Sequence, residues 1–196
     1  MSRPSERPAI VLASGSPRRR ELLEQIGLTF TVVTPDVDES PRPGEDPIAY
    51  VGRVALDKVN AVVVPSAVVI AADTTVELDG EIIAKPVDLD DARVMLRRLS
   101  GRTHAVHTGV ALRRGDRCVS ATVTSLVTFV TLSDAGIEWY VATGEPLDKA
   151  GAYAIQGAGA VLVHTVEGSV SNIIGLPLPN VIQLARQLDV DLLAAR

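Results

Sequence analysis

The chain has 196 residues, enough for one large domain or two small lobes, and 46% are apolar while only 3% are aromatic. Its core must therefore be Val, Leu, Ala and Ile, which suits α/β folds better than an aromatic-rich sandwich. A net charge of −5 argues against a nucleic-acid partner, and the single cysteine, Cys118, excludes an intrachain disulfide and a Cys-rich metal site.

Met1–Pro8 is polar and lacks a secretory apolar core. No run approaches the roughly 18 apolar residues of a spanning helix, so a soluble cytoplasmic protein with no membrane partner is expected. Ala9–Ala13 is a short apolar run suited to a buried strand. Ser14-Gly15-Ser16 turns into a helix over 17–26, with Ser16 as N-cap, Pro17 at the first helical position and Gly27 as the stop. The first turn of a helix carries about half a positive charge and favours Asp or Glu, yet this one holds Arg18, Arg19 and Arg20. Two readings fit: a solvated basic helix start, or a phosphate site made of free N–H groups and arginines. Helical spacing turns Arg20 toward solvent beside Glu24 and leaves Arg18 and Arg19 nearer the side that Leu22, Leu23 and Ile26 bury.

A strand follows at 30–34, and Asp46-Pro47 starts a helix over 47–63. Lys58 falls inside the apolar stripe of that helix, so it either snorkels or meets an anion. The run 66–72 reads as a fully buried strand that Asp73-Thr74-Thr75 ends. In α/β sheets such strand ends open onto the ligand crevice. A carboxylate there holds a divalent cation or activates water, or it caps its own turn. Asp79-Gly80 joins Thr75–Leu78 to Glu81–Ala84 as a hairpin. Lys85-Pro86 closes it, as a strand-end lysine or as a cation for the crevice.

Asp88 caps a helix over 89–99, followed by Gly101. Two long strands, 103–113 and 117–131, meet at Arg114-Gly115-Asp116. Ser133-Asp134 begins a helix over 134–143, in which Trp139 and Tyr140 are expected to pack. The glycine-dense run 151–160 is a permissive loop, or one that lets backbone approach a ligand while Gln156 offers a donor and an acceptor to a base edge. A last strand is expected at 160–166 and a last helix at 179–188. Mixed βαβ and antiparallel neighbours predict an α/β fold with a mixed sheet flanked by helices. Walker A, strand-linked dinucleotide and nucleophile-elbow patterns are absent. His104 and His107 are three apart on a strand and face opposite sides, a poor metal pair.

In order along the chain, Leu12-Ala13-Ser14-Gly15-Ser16-Pro17-Arg18-Arg19, Ala72-Asp73-Thr74, Lys85-Pro86, Ser100-Gly101-Arg102-Thr103-His104, Asp148–Tyr153, Ile155-Gln156-Gly157 and Gly175-Leu176-Pro177 resemble the Maf proteins. These are nucleoside triphosphate pyrophosphatases, also called septum formation inhibitors. The resemblance implies a single domain over 1–196, with a long mixed twisted sheet and two lobes around a central cleft, like the inosine triphosphate pyrophosphatases, and often a homodimer. It implies hydrolysis of a nucleoside triphosphate to the monophosphate and pyrophosphate with a divalent cation, Mg²⁺ or Mn²⁺. Asp73 matches the proton acceptor; Arg18, Thr74 and Gln156 match positions that set substrate choice. Their combination resembles the branch that prefers dTTP and UTP. Ser14, Arg19, Lys58 and Lys85 match positions near the triphosphate, and Ser16 at the helix start would also hold phosphate oxygens. Asp38-Glu39 matches an acidic pair that helps hold the metal, usually Glu-Glu in the family. The alternative is a nucleotide-binding regulator of division with little turnover.

Overall fold

Apolar β-branched runs alternate with capped helices, and together they build the expected mixed sheet. In a computed structural model of the chain, residues 8–194 are described. The polar N-terminal stretch read above as lacking a secretory core lies, apart from Pro8, outside them. In order the elements are β1 (Ala9–Ala13), α1 (Pro17–Gln25), β2 (Thr31–Val33), α2 (Pro47–Ala61), β3 (Ala67–Leu78), β4 (Glu81–Ile83) and α3 (Leu89–Leu99). Then come β5 (Thr103–Arg114), β6 (Arg117–Phe129), α4 (Asp134–Val141), β7 (Val163–Glu167), α5 (Val170–Ile174) and α6 (Leu178–Gln187). Among the described residues, no helix is long and apolar enough to cross a membrane.

Three of the predicted caps form side-chain hydrogen bonds. Asp46 accepts from Ile48 N and Ala49 N at 2.9 and 3.1 Å, Asp88 from Asp91 N at 2.8 Å, and Ser133 from Gly136 N at 3.1 Å. Val87 N donates back to the Asp91 carboxylate at 3.0 Å, so two donors at the start of α3 are satisfied reciprocally. Asp79 and Gly80 both adopt positive φ, 56° and 82°, as a two-residue hairpin requires.

The sheet runs β2-β1-β3-β5-β6-β7, with β4 on the β1 side of β3. β2, β1 and β3 are parallel, and the remaining pairings are antiparallel. Several expectations are corrected. Asp73 does not end its strand, because β5 pairs with β3 continuously from Val68 to Glu77 and carries it through Asp73. On the other edge, β1 stops at the Leu12–Ile70 pair and β4 begins at the Val76–Ile83 pair. Among the described residues Ala71–Thr75 therefore has no strand partner there, and the crevice is a gap in the middle of the sheet rather than its carboxyl end. The strand expected at 160–166 forms as β7 but starts later, at Val163, because Gly157–Leu162 winds into a 3-10 turn. Trp139 packs only in part: it is 52% exposed beside the Tyr140 ring, while Tyr140 itself is fully buried.

Val68, Ile70 and Ala72 of β3 pack with Leu12, Leu22, Leu23 and Leu184 in one core. Val76 and Leu78, on the same face, pack with Leu96, Val127, Phe129 and Tyr140 in another. Thr74 falls between the two. On the opposite face, Val69 and Ala71 meet Ala55 and Val59 of α2. Gly109 of β5 pairs across from Asp73 and lies directly under α2, where an added Cβ would overlap the Val51 carbonyl. Gly109→Ala is expected to lift α2 off the sheet and cost about 1–3 kcal/mol or more, because backbone rather than a flexible side chain must move. Urea unfolding checks this; an unchanged midpoint would refute the close-packing argument.

Candidate functional site

Because the gap exposes β3 on both of its faces, Asp73 and Thr74 point to opposite sides and still line one cleft of about 600 Å³. Ser14, Ser16, Arg18, Arg19, Glu39, Lys58, Lys85 and Gln156 line the same cleft, so all but one of the residues singled out from the sequence converge there. The exception is Asp38, which is exposed and accepts from Ser40 N at 2.9 Å. Of the acidic pair, Glu39 turns inward.

Lys58 does not snorkel. Its ammonium lies 2.8 Å from Asp73 Oδ1 and 2.8 Å from Glu39 Oε2, and Lys58 and Asp73 are only 5% and 6% exposed. One buried cation thus gathers two carboxylates. The loop bearing Glu39 is pinned by the same side of α2. Tyr50 Oη donates to the Glu39 carbonyl at 2.9 Å, and Arg53 bonds the Ser40 carbonyl at 3.1 Å and the Glu45 carboxylate at 2.6 and 2.7 Å. Arg53, helped by the Arg42 N–H, draws the Glu45 carboxyl down to about 2. Burial, with the Asp73 and Glu39 charges nearby, pushes the Tyr50 hydroxyl up to about 12, so it remains a donor. Tyr50, Arg53 and Glu45 went unnoticed in the sequence, although Tyr50, Arg53 and Lys58 follow helical spacing.

The opening arginines divide three ways. Arg20 faces solvent, 3.8 Å from Glu24. Arg19 is buried and braces three segments: Nε donates to the Gly175 carbonyl at 2.8 Å, and its terminal nitrogens donate to Ser14 Oγ at 3.0 Å and Thr74 Oγ1 at 3.2 Å. Burial lowers its pKa, and the Asp73 charge partly offsets this. Arg18 is the more available, reaching across the cleft mouth to within 3.6 Å of Asp148. Burial raises the Asp148 carboxyl, but the bond and charge of Lys149, with Arg18 and Lys85, outweigh it and hold it below the usual range. Ser16 caps α1 without a side-chain hydrogen bond, which leaves its hydroxyl for a ligand at the helix N-terminus. Thr74 Oγ1 shares a 2.9 Å hydrogen bond with Thr108, so its hydroxyl is oriented from below. The histidines stay out of the cleft lining. His104 bonds Tyr153 and His107 bonds Thr124, each at 2.8 Å, and burial lowers His104 to about 4.

A mixed-sheet α/β protein whose cleft sets arginines, lysines and a bare helix start around two clasped carboxylates is built to take a polyanion. The chain belongs to the Maf-like protein family, whose model matches residues 9–188. A dTTP/UTP pyrophosphatase of Anaeromyxobacter dehalogenans (strain 2CP-C) is 55% identical, over 92% of this chain and 94% of its own. One from Myxococcus xanthus (strain DK1622) is 52% identical, over 96% of each chain. One from Symbiobacterium thermophilum is 50% identical, over 91% of this chain and 93% of its own. Among solved structures, a HAM1 protein from Coxiella burnetii aligns with 62% of this chain and 73% of its own, at a TM-score of 0.44 and 15% identity. That likeness is too remote to bear on fold or function.

Proposed function

We propose that this chain hydrolyses nucleoside triphosphates, dTTP and UTP foremost, to the monophosphate and pyrophosphate. The observation that carries the reading is the buried Asp73, clasped by Lys58 at 2.8 Å within a cleft whose other charged walls include Arg18 and Lys85. The names of the similar proteins point to the same chemistry and the same bases.

A triphosphate brings about four negative charges, so catalysis requires neutralisation, alignment and an activated water. Ser14, Ser16 and the N-terminus of α1 hold phosphate oxygens in this reading; Arg18, Lys58 and Lys85 neutralise them. Arg19 acts by holding Ser14 and Thr74 in place. Lys58 occupies Oδ1 of Asp73, which leaves Oδ2 to orient and deprotonate the water that attacks the α-phosphorus. Thr74 and Gln156 face the base and sugar.

Among the described residues, no group of three or more His, Cys, Asp or Glu side chains could enclose a metal alone. Two converging carboxylates do suit Mg²⁺ or Mn²⁺, because such cations take one or two carboxylates and complete their shell with substrate phosphates and water. Glu39 would hold the ion, Asp73 would join it only through the oxygen otherwise free to act as the base, since Lys58 takes the other, and Asp38 drops out of the set. When bound, a divalent cation supplies charge neutralisation at the phosphates. A homodimer in the cytoplasm belongs to the same reading and rests on the family resemblance.

The test is pyrophosphate release from all common nucleoside triphosphates with Mg²⁺ or Mn²⁺. Fastest turnover of dTTP and UTP is expected. Tight nucleotide binding without release would overturn the assignment in favour of a regulator.

A further inference from the structure

Gln156 sits on an exposed stretch, yet its backbone is gripped on both sides. Tyr140 is fully buried in the core around α4 and sends its hydroxyl into the loop. There it donates to Glu145 Oε1 at 2.9 Å and accepts from Ala154 N at 3.1 Å, two residues before Gln156. Glu145 Oε1 also accepts from Gly159 N at 2.9 Å, and Oε2 accepts from Ala158 N at 3.0 Å, just after Gln156. The Glu145 carboxylate thus caps the 3-10 turn that Gln156 opens. Such turns usually take a short Ser, Asn or Asp from the cap position itself, whereas here the cap arrives from eleven residues upstream. Its donors are all neutral, so its charge serves these hydrogen bonds, which are roughly twice as strong as neutral ones.

The glycines agree with this account. Gly157 adopts φ +74°, and a Cβ there would lie 2.6 Å from Glu145 Oε2. A Cβ on Gly159 would lie 2.8 Å from the Tyr140 hydroxyl and overlap the Ala154 carbonyl. The loop therefore closes around Glu145 and Tyr140 only because both positions lack side chains. Upstream, Thr143 Oγ1 donates to the Tyr140 carbonyl at 2.6 Å and accepts from Glu145 N at 3.1 Å, which ties Glu145 to the end of α4.

We infer that Glu145, braced by Tyr140, is a positioning residue that fixes how Gln156 presents its carboxamide and thereby sets the discrimination between nucleobases. This rests on the reading of the cleft as a nucleoside triphosphate site. Gln156 can read a base edge only if its amide is held in one orientation, and among the described residues no hydrogen bond to its own side chain does that. The rigid path runs from the α4 core through Tyr140 and Glu145 to the backbone flanking Gln156. Loss of this path displaces the amide while leaving the phosphate-binding walls, which lie on the β1–α1 loop, α1, α2 and the β4–α3 loop, in place.

The test compares kcat/KM for dTTP, UTP, ATP and GTP, with Mg²⁺, in wild type, Gln156→Ala, Glu145→Gln, their double variant and Tyr140→Phe. Thermal unfolding of each is followed in parallel. Glu145→Gln is expected to lower the pyrimidine-to-purine ratio by about tenfold, chiefly through the KM of the pyrimidine substrates. In the double variant the ratio should fall no further than in Gln156→Ala alone, because both changes remove the same reading. A uniform loss across all four substrates, or additive effects, would overturn the role. If Glu145→Gln does not fold, Tyr140→Phe decides, since it keeps the ring in the core and removes only the hydroxyl; an unchanged ratio there also overturns the role. A wild type that releases pyrophosphate from no nucleotide fails the function reading itself. A wild type that discriminates beside a Glu145→Gln variant that discriminates equally fails only the inference.

Discussion

Asp73→Asn should fold as wild type and lose about 10²–10⁴-fold in pyrophosphate release from dTTP, the range a positioned general base contributes. Asparagine matches the shape of aspartate, and β3 is locked to β5 on both sides of position 73, so the strand has no reason to shift. What changes is charge. Among the described residues Lys58 keeps Glu39 as its carboxylate partner, and position 73 no longer offers a carboxylate oxygen to accept a proton. Single-turnover rates of pyrophosphate release, with circular dichroism as the fold control, measure the effect. Raising the Mg²⁺ or Mn²⁺ concentration separates two roles for the same residue. A rate restored by metal marks Asp73 chiefly as a holder of the cation, whereas a rate insensitive to metal marks it as the base. Activity near wild type at ordinary metal concentration would remove Asp73 from the chemistry altogether.

The sequence exposed the site more readily than the geometry that makes it. Arg18 and Arg19 at a helix start, and Lys58 in an apolar stripe, each break a local rule of charge placement, and each lies in the cleft. The two arginines could not be told apart, because both occupy the same turn. Only the distant Gly175 carbonyl and Thr74 hydroxyl decide that Arg19 braces and Arg18 stays available. The gap in the sheet was illegible for a similar reason. Periodicity gives strand lengths, but where β1 ends and β4 begins against β3 is a matter of register set by the whole sheet. Asp73 looked like a strand terminus because polar residues interrupt the apolar run, and in fact they mark the open stretch of an edge. Glu145 left no signal at all. A glutamate near a glycine-rich loop is unremarkable until its carboxylate is seen to gather the Tyr140 hydroxyl and two backbone N–H groups.

Lys58→Met should separate stability from activity at the same cluster. Removing the ammonium leaves Asp73, with its side chain only 8% exposed, and the half-exposed Glu39 without the cation that bonds both, and the charge of Arg19 reaches them only from a distance. Breaking a buried pair from one side costs about 3–5 kcal/mol, because the remaining charge stays desolvated. For a chain of this size each kcal/mol moves Tm by roughly 2–4 °C, so a fall of about 6–20 °C is expected. Adding Asp73→Asn to Lys58→Met should recover most of that loss, since the neutral pair has nothing to leave unpaired. Pyrophosphate release should remain absent in both variants. Thermal unfolding and dTTP turnover on the four proteins test this together. If Lys58→Met is as stable as wild type, or if the double variant is no more stable than the single, Lys58 does not offset the two carboxylates. If stability behaves as expected, the cluster is one that a neutral pair could replace without harm to the fold. Its charges are then kept for the anionic substrate they receive rather than for the architecture around them.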